Sequence, residues 1–368
     1  MRTTTIRLDM AAVAFAVAAL LHGIGSAEPQ EPAIPPGLTA ANSPAPLVRP
    51  GEKHFKNMLQ LTFAGENAEA YFSADGRRLI FQSTRDNRAC DAEYVMNLDG
   101  GATAMVSNGK GRTTCGYFFP DGPRIMYAST HLGGDECPPP PDHSMGYVWA
   151  LYSSFDIFSA KPDGTGVKRL TTSPGYDAEC VMDWAGTRIL FTSMRDGDPE
   201  LYVMEPDGSN PRRLTSSKGY DGGAFFSYDG TRIVYRAWHP KEPVEVREYD
   251  ELIRMNVVKP SRMELFVMNA DGSGNRQITS NGFANFAPYF MPDGKRIIFA
   301  SNMNSPNRRN FDLYLINADG TGLEQVTFND TFDGFPMLSR DGKKIVFASN
   351  RNNIEPNDTN IFLADWVE

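Results

Sequence analysis

The residues best suited to chemistry recur at fixed positions around a repeated turn motif that usually reads Asp-Gly. In the third copy Asp177 precedes the turn and Arg195 follows the next apolar stretch, and in the fourth copy Asp221 and His239 occupy the same two positions. A carboxylate beside a guanidinium or imidazole can transfer protons or hold a polar ligand through charge-assisted hydrogen bonds. Histidine replaces arginine only in the second and fourth copies. We therefore predict a binding site formed by His131, His239, Arg195, Asp177, Glu179 and Asp221.

A structural role is the alternative for the same residues. Acidic and basic groups at matched positions of every copy can tie neighbouring repeats together without binding a ligand. Two aromatic residues near these positions, Trp149 and Trp238, nevertheless suit sugars, peptides or cationic groups when they lie beside carboxylates. We include both tryptophans in the predicted ligand-binding set.

A metal site is a further possibility in the segment HLGGDECPPPPDH, which begins at His131. His131, His143 and His239 are the candidate ligands for a divalent metal. Their spacing matches no familiar zinc pattern, and the proline run stiffens the segment into an extended arm. We therefore expect no cofactor, with metal binding by these histidines as the alternative.

Sequence motifs of common enzymes are missing from the chain. It contains no Gly-x-Ser-x-Gly elbow, Walker loop, HExxH pair or dinucleotide fingerprint. The formal net charge is -9, so the protein repels the phosphates of nucleic acids. These observations favour a binding module over an enzyme and exclude nucleic acid as a partner.

The repeat itself predicts the fold. Six copies of a strand, a tight turn and a second apolar strand centre on Gly76, Gly122, Gly186, Gly230, Gly294 and Gly342. Three of the intervals between these glycines match one four-stranded propeller blade, and the two longer ones contain inserts at about 131–153 and 238–261. We predict an all-β, six-bladed β-propeller over residues 57–368. The strand at 57–62 should complete the last blade beside 360–366.

The N-terminal residues indicate export. Arg2 and Arg7 precede a short apolar run, and Gly25-Ser26-Ala27 offers a cleavage site. We expect a signal peptide at 1–27, a proline-rich linker at 28–56, and a periplasmic or secreted, monomeric protein. We expect no transmembrane segment in the mature chain.

Four cysteines in an exported protein suggest disulfides. Three pairings are possible. One topological step, from the loop after a second strand to the innermost strand of the next blade, relates Cys90 to Cys115 and Cys137 to Cys180. We therefore predict the disulfides Cys90–Cys115 and Cys137–Cys180.

The recurring Leu-Thr strand, the Ser-x-Asp-Gly-x-Arg-Ile turn and the Ser-x-Arg that follows resemble the repeat of TolB-like, WD-repeat-like propellers. The resemblance covers about residues 57–368 and implies a six-bladed propeller in the bacterial envelope. The N-terminal α/β domain of TolB has no counterpart, since a proline-rich segment stands there. Similar propellers form the gates of prolyl peptidases and the body of oligogalacturonate lyases.

Two functions follow from this resemblance. The favoured one is an exported scaffold in the cell envelope that binds a protein, peptide or glycan on the face with the inserts. The alternative is a metal-assisted polysaccharide lyase or hydrolase of the oligogalacturonate-lyase type, with its site at the mouth of the channel.

Overall fold

The computed structural model describes residues 46–98, 102–144 and 146–368, so the predicted signal peptide and residues 28–45 of the predicted linker lie outside it. The described residues form six four-stranded antiparallel sheets arranged as a six-bladed propeller. In five sheets the strands follow one another in chain order from the axis outwards. The predicted all-β propeller class is confirmed.

The strands have the following bounds. The chain begins with β1 (Phe55–Gln60), and blade one contains β2 (Asn67–Phe72), β3 (Arg78–Ser83), β4 (Ala92–Asn97) and β5 (Thr103–Met105). Blade two contains β6 (Thr113–Phe118), β7 (Ile125–Ser129), an insert with β8 (Trp149–Ala150), then β9 (Asp156–Ala160) and β10 (Lys168–Arg169). Blade three contains β11 (Asp177–Met182), β12 (Ile189–Ser193), β13 (Glu200–Met204) and β14 (Arg212–Arg213).

The second half repeats this plan. Blade four contains β15 (Tyr220–Phe226), β16 (Arg232–Trp238), an insert with helix α1 (Pro243–Arg254), β17 (Val257–Val258) and a 3₁₀ turn (Pro260–Arg262), then β18 (Glu264–Asn269) and β19 (Arg276–Gln277). Blade five contains β20 (Asn285–Phe290), β21 (Arg296–Ser301), β22 (Asp312–Asn317) and β23 (Glu324–Gln325). Blade six contains β24 (Asp333–Leu338), β25 (Lys344–Ser349) and β26 (Asn360–Trp366).

The turn between the first two strands of a blade shows why the repeat folds locally. In blade one the Ser73 hydroxyl donates to Asp75 (2.6 Å), and Asp75 accepts the backbone N–H of Arg77 (3.1 Å). Gly76 supplies the positive φ of +68° that the turn requires. The apolar residues on either side are buried on both faces because each sheet packs between two others.

Strand β1 is the outermost strand of blade six. It pairs antiparallel with β26, with Phe55 opposite Trp366 and Leu59 opposite Leu363. Arg351 of blade six lies fully buried and donates to Glu52 (3.0 Å), just before β1, and to Asp333 (2.8 Å). The two ends of the described chain are therefore joined by backbone hydrogen bonds and by an ion pair.

The two inserts meet each other over one end of the propeller. Strand β8 of the first insert pairs antiparallel with β17 of the second, and α1 packs on β17. Tyr249 of α1 is buried against Trp238, and its hydroxyl donates to Asp198 of blade three. We call β8, β17 and α1 the lid. Among the described residues no helix is long and apolar enough to cross a membrane.

The predicted disulfides are wrong. The structure joins Cys90 to Cys137, whose Cα atoms are 5.9 Å apart, whereas Cys115 and Cys180 are buried free thiols. Cys90 and Cys137 lie in the same type of loop of adjacent blades, so the two loops run side by side. Cys115 and Cys180 lie in innermost strands near the axis, out of reach of those loops.

Candidate functional site

The six innermost strands share an irregularity at the same repeat position. The pairing of each with the second strand of its blade shifts by a β-bulge. Within each bulge, the residue seven positions before the turn glycine has a positive φ of 45–56°. These residues, the bulge ring, are Glu69, Cys115, Glu179, Gly223, Ala287 and Phe335.

The bulge ring lines one cavity on the propeller axis. All six members line a cavity with a volume of about 30 Å³. Five members are not glycine, although a side chain in the left-handed region costs roughly 1–2 kcal/mol. Such backbone strain is often found at ligand sites, and here it recurs around a single opening. The ring is therefore our candidate site.

The channel is closed on the side away from the lid. Two residues beyond the bulge ring, a second ring of buried side chains fills the axis: Tyr71, Tyr117, Val181, Phe225, Tyr289 and Met337. Tyr71 of blade one meets Phe225 of blade four across the axis, with ring centroids 5.6 Å apart, and Phe225 contacts Tyr289 at 5.2 Å. The bulge ring is thus the floor of a blind channel.

A larger cavity lies between the bulge ring and the lid. This mouth cavity has a volume of about 60 Å³, about twice that of the bulge-ring cavity. Glu69, Cys115, Glu179, Arg236 and Phe335 line both spaces, so the two are continuous. The lid and its flanks contribute Pro141, Val148, Trp149, Ala150, Leu151 and Tyr152 to the wall.

A buried charge network forms one side of the mouth cavity. Arg236 of β16 donates through Nη2 to Glu179 and to the Tyr220 hydroxyl (3.0 Å). Glu179 also accepts from Tyr220 (2.8 Å), Thr192 (2.6 Å) and the backbone N–H of Gly223 (2.9 Å). The acceptor capacity of Glu179 is therefore used by protein groups, and the carboxylate mainly holds Arg236 in place.

Two glycines make room for this network. A Cβ on Gly222 would lie 2.3 Å from the Tyr220 hydroxyl, and one on Gly223 would lie 1.9 Å from Nη1 of Arg236. In the blade-four bulge the guanidinium thus takes the space that a side chain occupies in the other blades. Because the bulge-ring residue of blade four is Gly223, the side chain at this position of the ring is that of Arg236.

Glu69 faces the same cavity with weaker partners. The Tyr71 hydroxyl donates to it at 3.4 Å, and the Cys115 thiol lies close by. Burial raises the pKa of Glu69 to about 7, and a hydrogen bond from the Cys115 thiol and the charge of Arg236 partly offset this rise. Burial also raises the pKa of the Cys115 thiol well above its usual value, so that thiol stays protonated.

The site is chemically two-sided. Blades one to four present Glu69, Cys115, Glu179 and Arg236, whereas blades five and six present Ala287 and Phe335. Above the apolar side, Trp149 of the lid packs on Phe286 (5.2 Å), and its ring also faces Arg236, with Cζ 5.0 Å from the ring centroid. The arrangement can hold a group with a polar and an apolar side.

Most of the residues predicted from the sequence lie elsewhere. Arg195 pairs with Asp177 at 3.3 Å, and His239 pairs with Asp221 at 2.9 Å. Each pair joins the first and second strands of one blade, so the charge pairs do not link neighbouring blades as the structural alternative supposed. None of the four lines the mouth cavity or the bulge-ring cavity.

The remaining predicted residues divide between the lid and the blades. His131 contacts Ser129 (2.9 Å) and the ring of Phe158 (4.3 Å), outside both cavities. Trp238 supports Tyr249 of the lid helix. Of the predicted set, the structure brings together Glu179 and Trp149, which line the mouth cavity.

The candidate metal ligands are not assembled. His239 is engaged with Asp221, His131 with Ser129, and His143 stacks on Tyr147 at 6.4 Å. In the described part of the chain no three His, Cys, Asp or Glu side chains form a group that could hold a metal ion.

Sequence reasoning missed Arg236 and Tyr220. The signal for Arg236 was present, because the equivalent positions in the other blades are Gln82, Ala128, Thr192, Ala300 and Ala348. A lone charge within the apolar strand RIVYRAW needs a buried partner. Alignment of the six repeats also places Glu69 and Glu179 at one position, seven residues before the turn glycine.

Comparison with known proteins agrees with the fold. No protein-family model matches the chain. A stretch of 39 residues is 56% identical to dipeptidyl-peptidase 5 of Porphyromonas gingivalis, which is 11% of this chain and 6% of the length of that protein.

Solved structures give a longer match. TolB from Acinetobacter baumannii aligns with a TM-score of 0.50 and 19% identity, over 70% of this chain and 53% of that chain. A protein assigned as TolB from Agrobacterium tumefaciens aligns with a TM-score of 0.53 and 16% identity, over 83% of this chain and 91% of that one. The tricorn protease aligns with a TM-score of 0.52 and 17% identity, over 77% of this chain and 24% of that chain. These likenesses establish the fold alone, and it is the six-bladed β-propeller predicted from the repeat.

Proposed function

We propose that this TolB-like propeller is an exported scaffold of the cell envelope that binds a protein, peptide or glycan at the lid-covered mouth of its channel. The sequence supports export through the apolar N-terminal run and the small residues before Glu28. The propeller supplies a rigid support, and the two inserts add the variable surface on which binding commonly depends.

One observation carries the proposal. The buried Arg236 network and Glu69 lie at the floor of a blind channel, under a lid that belongs to the same chain. Placing charged groups in a buried cavity is costly unless they are held by partners or serve a ligand. A concave site with aromatic walls and a few convergent polar groups is the usual form of a binding pocket.

Site-directed photo-crosslinking in cells tests this placement. A photoreactive phenylalanine analogue at Tyr152, on the cavity wall, should form an adduct with one envelope component. The same analogue at Leu323, an exposed residue just before β23 and outside the cavity, is the matched control. An adduct from position 152 that is absent from 323 supports the proposal. Failure to crosslink at 152, or equal adducts from both positions, contradicts it.

Export has its own test. N-terminal sequencing of protein recovered from the periplasmic fraction should begin at Glu28. Recovery of the chain in the cytoplasm with Met1 intact would contradict export without bearing on the site.

A further inference from the structure

We infer that the mouth cavity recognises a neutral carboxamide, the side chain of a glutamine or asparagine presented by a peptide. The inference rests on the proposed function and specifies the chemistry of its ligand. Three features of the mouth cavity support it: the balance of charge, the unused hydrogen-bonding groups and the apolar wall.

The charges in the mouth cavity oppose each other, and its second guanidinium, that of Arg112, is paired with Asp91 at 2.8 Å. Arg236 is ion-paired with Glu179, and Glu69 lies near enough to Arg236 to interact with it. A cationic ligand would be placed beside the Arg236 guanidinium, which already covers the Trp149 ring. An anionic ligand would be placed beside the two carboxyl groups. Since a buried charge needs a compensating partner, a neutral polar group is favoured over either ion.

The unused hydrogen-bonding groups form a donor and an acceptor side. Arg236 makes both of its hydrogen bonds through Nη2. Its Nη1 lies against Gly223 of the bulge ring, and Arg236 lines both the mouth cavity and the bulge-ring cavity, so Nη1 is the donor available to a ligand. Across the ring, Glu69 receives only long or weak donors. A carboxamide would accept from Arg236 through its oxygen and donate to Glu69 through its nitrogen.

The apolar side of the mouth cavity suits the stem of such a side chain. Phe286, Phe335 and Trp149 line the apolar side, where the methylene groups of a glutamine stem would pack. The peptide backbone would then lie at the lip, near Pro141 and Tyr152.

Blocked peptides that differ at one residue test the inference by calorimetry. The acetylated methyl ester of Gly-Gly-Gln-Gly-Gly, whose only primary carboxamide is the Gln side chain, should bind at least about tenfold more tightly than its Glu, Lys and Met counterparts, because a buried site built for hydrogen bonds rejects analogues that leave it unpaired. The Glu and Met peptides are matched to Gln in size. Equal or tighter binding of the Glu, Lys or Met peptide would overturn the inference, and so would tighter binding of di-N-acetylchitobiose.

A variant locates the effect. Glu69→Leu should bind the Gln and Met peptides equally, whereas Glu66→Gln, outside the cavity, should keep the preference for Gln. Circular dichroism and thermal unfolding establish that both variants are folded. A Gln preference that survives Glu69→Leu overturns the inference.

The outcomes separate the two proposals. If position 152 crosslinks to a partner but no peptide shows the Gln preference, the carboxamide inference fails and the binding function stands. If neither crosslinking nor peptide binding occurs, both fail.

Discussion

Arg236, on the second strand of blade four, donates to Glu179, on the innermost strand of blade three, across the interface between the two blades. Both side chains are close to fully buried, and the Tyr220 hydroxyl contacts both. This pair therefore joins two blades and shapes the polar side of the mouth cavity at the same time. The pair forms at blade four because the bulge-ring residue there is Gly223, which leaves room for the Arg236 guanidinium.

Removing one partner of this pair should be strongly destabilising. Arg236→Met leaves Glu179 buried without its counter-ion, and we expect a loss of about 3–5 kcal/mol in the free energy of unfolding. The double variant Glu179→Leu with Arg236→Met should be more stable than Arg236→Met alone, since no isolated charge remains. Urea unfolding monitored by circular dichroism measures both.

The exposed pair Arg124–Asp121 provides the control. Its side chains are 43% and 47% exposed, so Arg124→Met should cost about 1 kcal/mol or less. If Arg236→Met and Arg124→Met lower stability equally, the buried pair does not have the structural importance assigned to it.

The fold was predictable from the sequence because its determinants are local. Each Asp-Gly turn, such as that at Asp75-Gly76, fixes a hairpin within a dozen residues, and six copies define the blade count. The residues that meet at the channel floor were harder to predict. That Glu69 and Glu179 share a position was readable, but the pairing of Arg236 with Glu179 joins residues 57 positions apart in different blades.

The disulfide and the lid show the same limit. The repeat correctly located the loops that carry Cys90 and Cys137, but not that these loops lie side by side. The contact of β8 with β17 depends on two inserts outside the repeat, for which no periodicity exists. The residues of the charge pairs, such as Asp221 and His239, were visible in the sequence. That each pair joins two strands of the same blade depended on how those strands align in the folded protein.

The Cys90–Cys137 disulfide should stabilise the arm that leads into the lid. Its loop closes over 47 residues, and we expect the double variant Cys90→Ser with Cys137→Ser to lose about 2–4 kcal/mol. Non-reducing peptide mapping should recover one linked peptide pair. Cys115 and Cys180 should react with a thiol reagent rapidly only after denaturation, because burial raises the pKa of both thiols and keeps them protonated. Mapping that links Cys115 or Cys180 to another cysteine would contradict this pairing.

Stability should rise as the pH falls from about 8 to about 5. Burial raises the pKa of Glu200 and of Asp312 to about 7, in the latter case with help from Asp333. A folded-state pKa above the unfolded value means that the native protein binds the proton more tightly, so the stabilisation is complete at acidic pH and is lost as pH rises through 7. The Asp312 carboxyl contributes on the order of a few kcal/mol. Thermal unfolding at several pH values measures the trend.

Single substitutions assign the pH dependence. Asp312→Asn should reduce the difference in stability between pH 5 and pH 8. Asp163→Asn should leave it unchanged, because hydrogen bonds from Thr165 lower the pKa of Asp163 and it stays ionised throughout this range. An unchanged slope in Asp312→Asn would mean that this carboxyl group does not carry the effect.

The bulge ring should reveal its backbone strain when a glycine is introduced. Ala287 has a φ of +45°, which a glycine adopts without cost, so Ala287→Gly should leave stability unchanged or raise it by up to about 1 kcal/mol. Ala300, on β21 of the same blade, is equally buried but lies in a regular strand, and Ala300→Gly should lose about 0.5–1 kcal/mol or more. Urea unfolding of the two variants side by side decides the matter. If Ala287→Gly is as destabilising as Ala300→Gly, the left-handed conformation at this position stores no strain, and the bulge ring would lose that argument for being a built site.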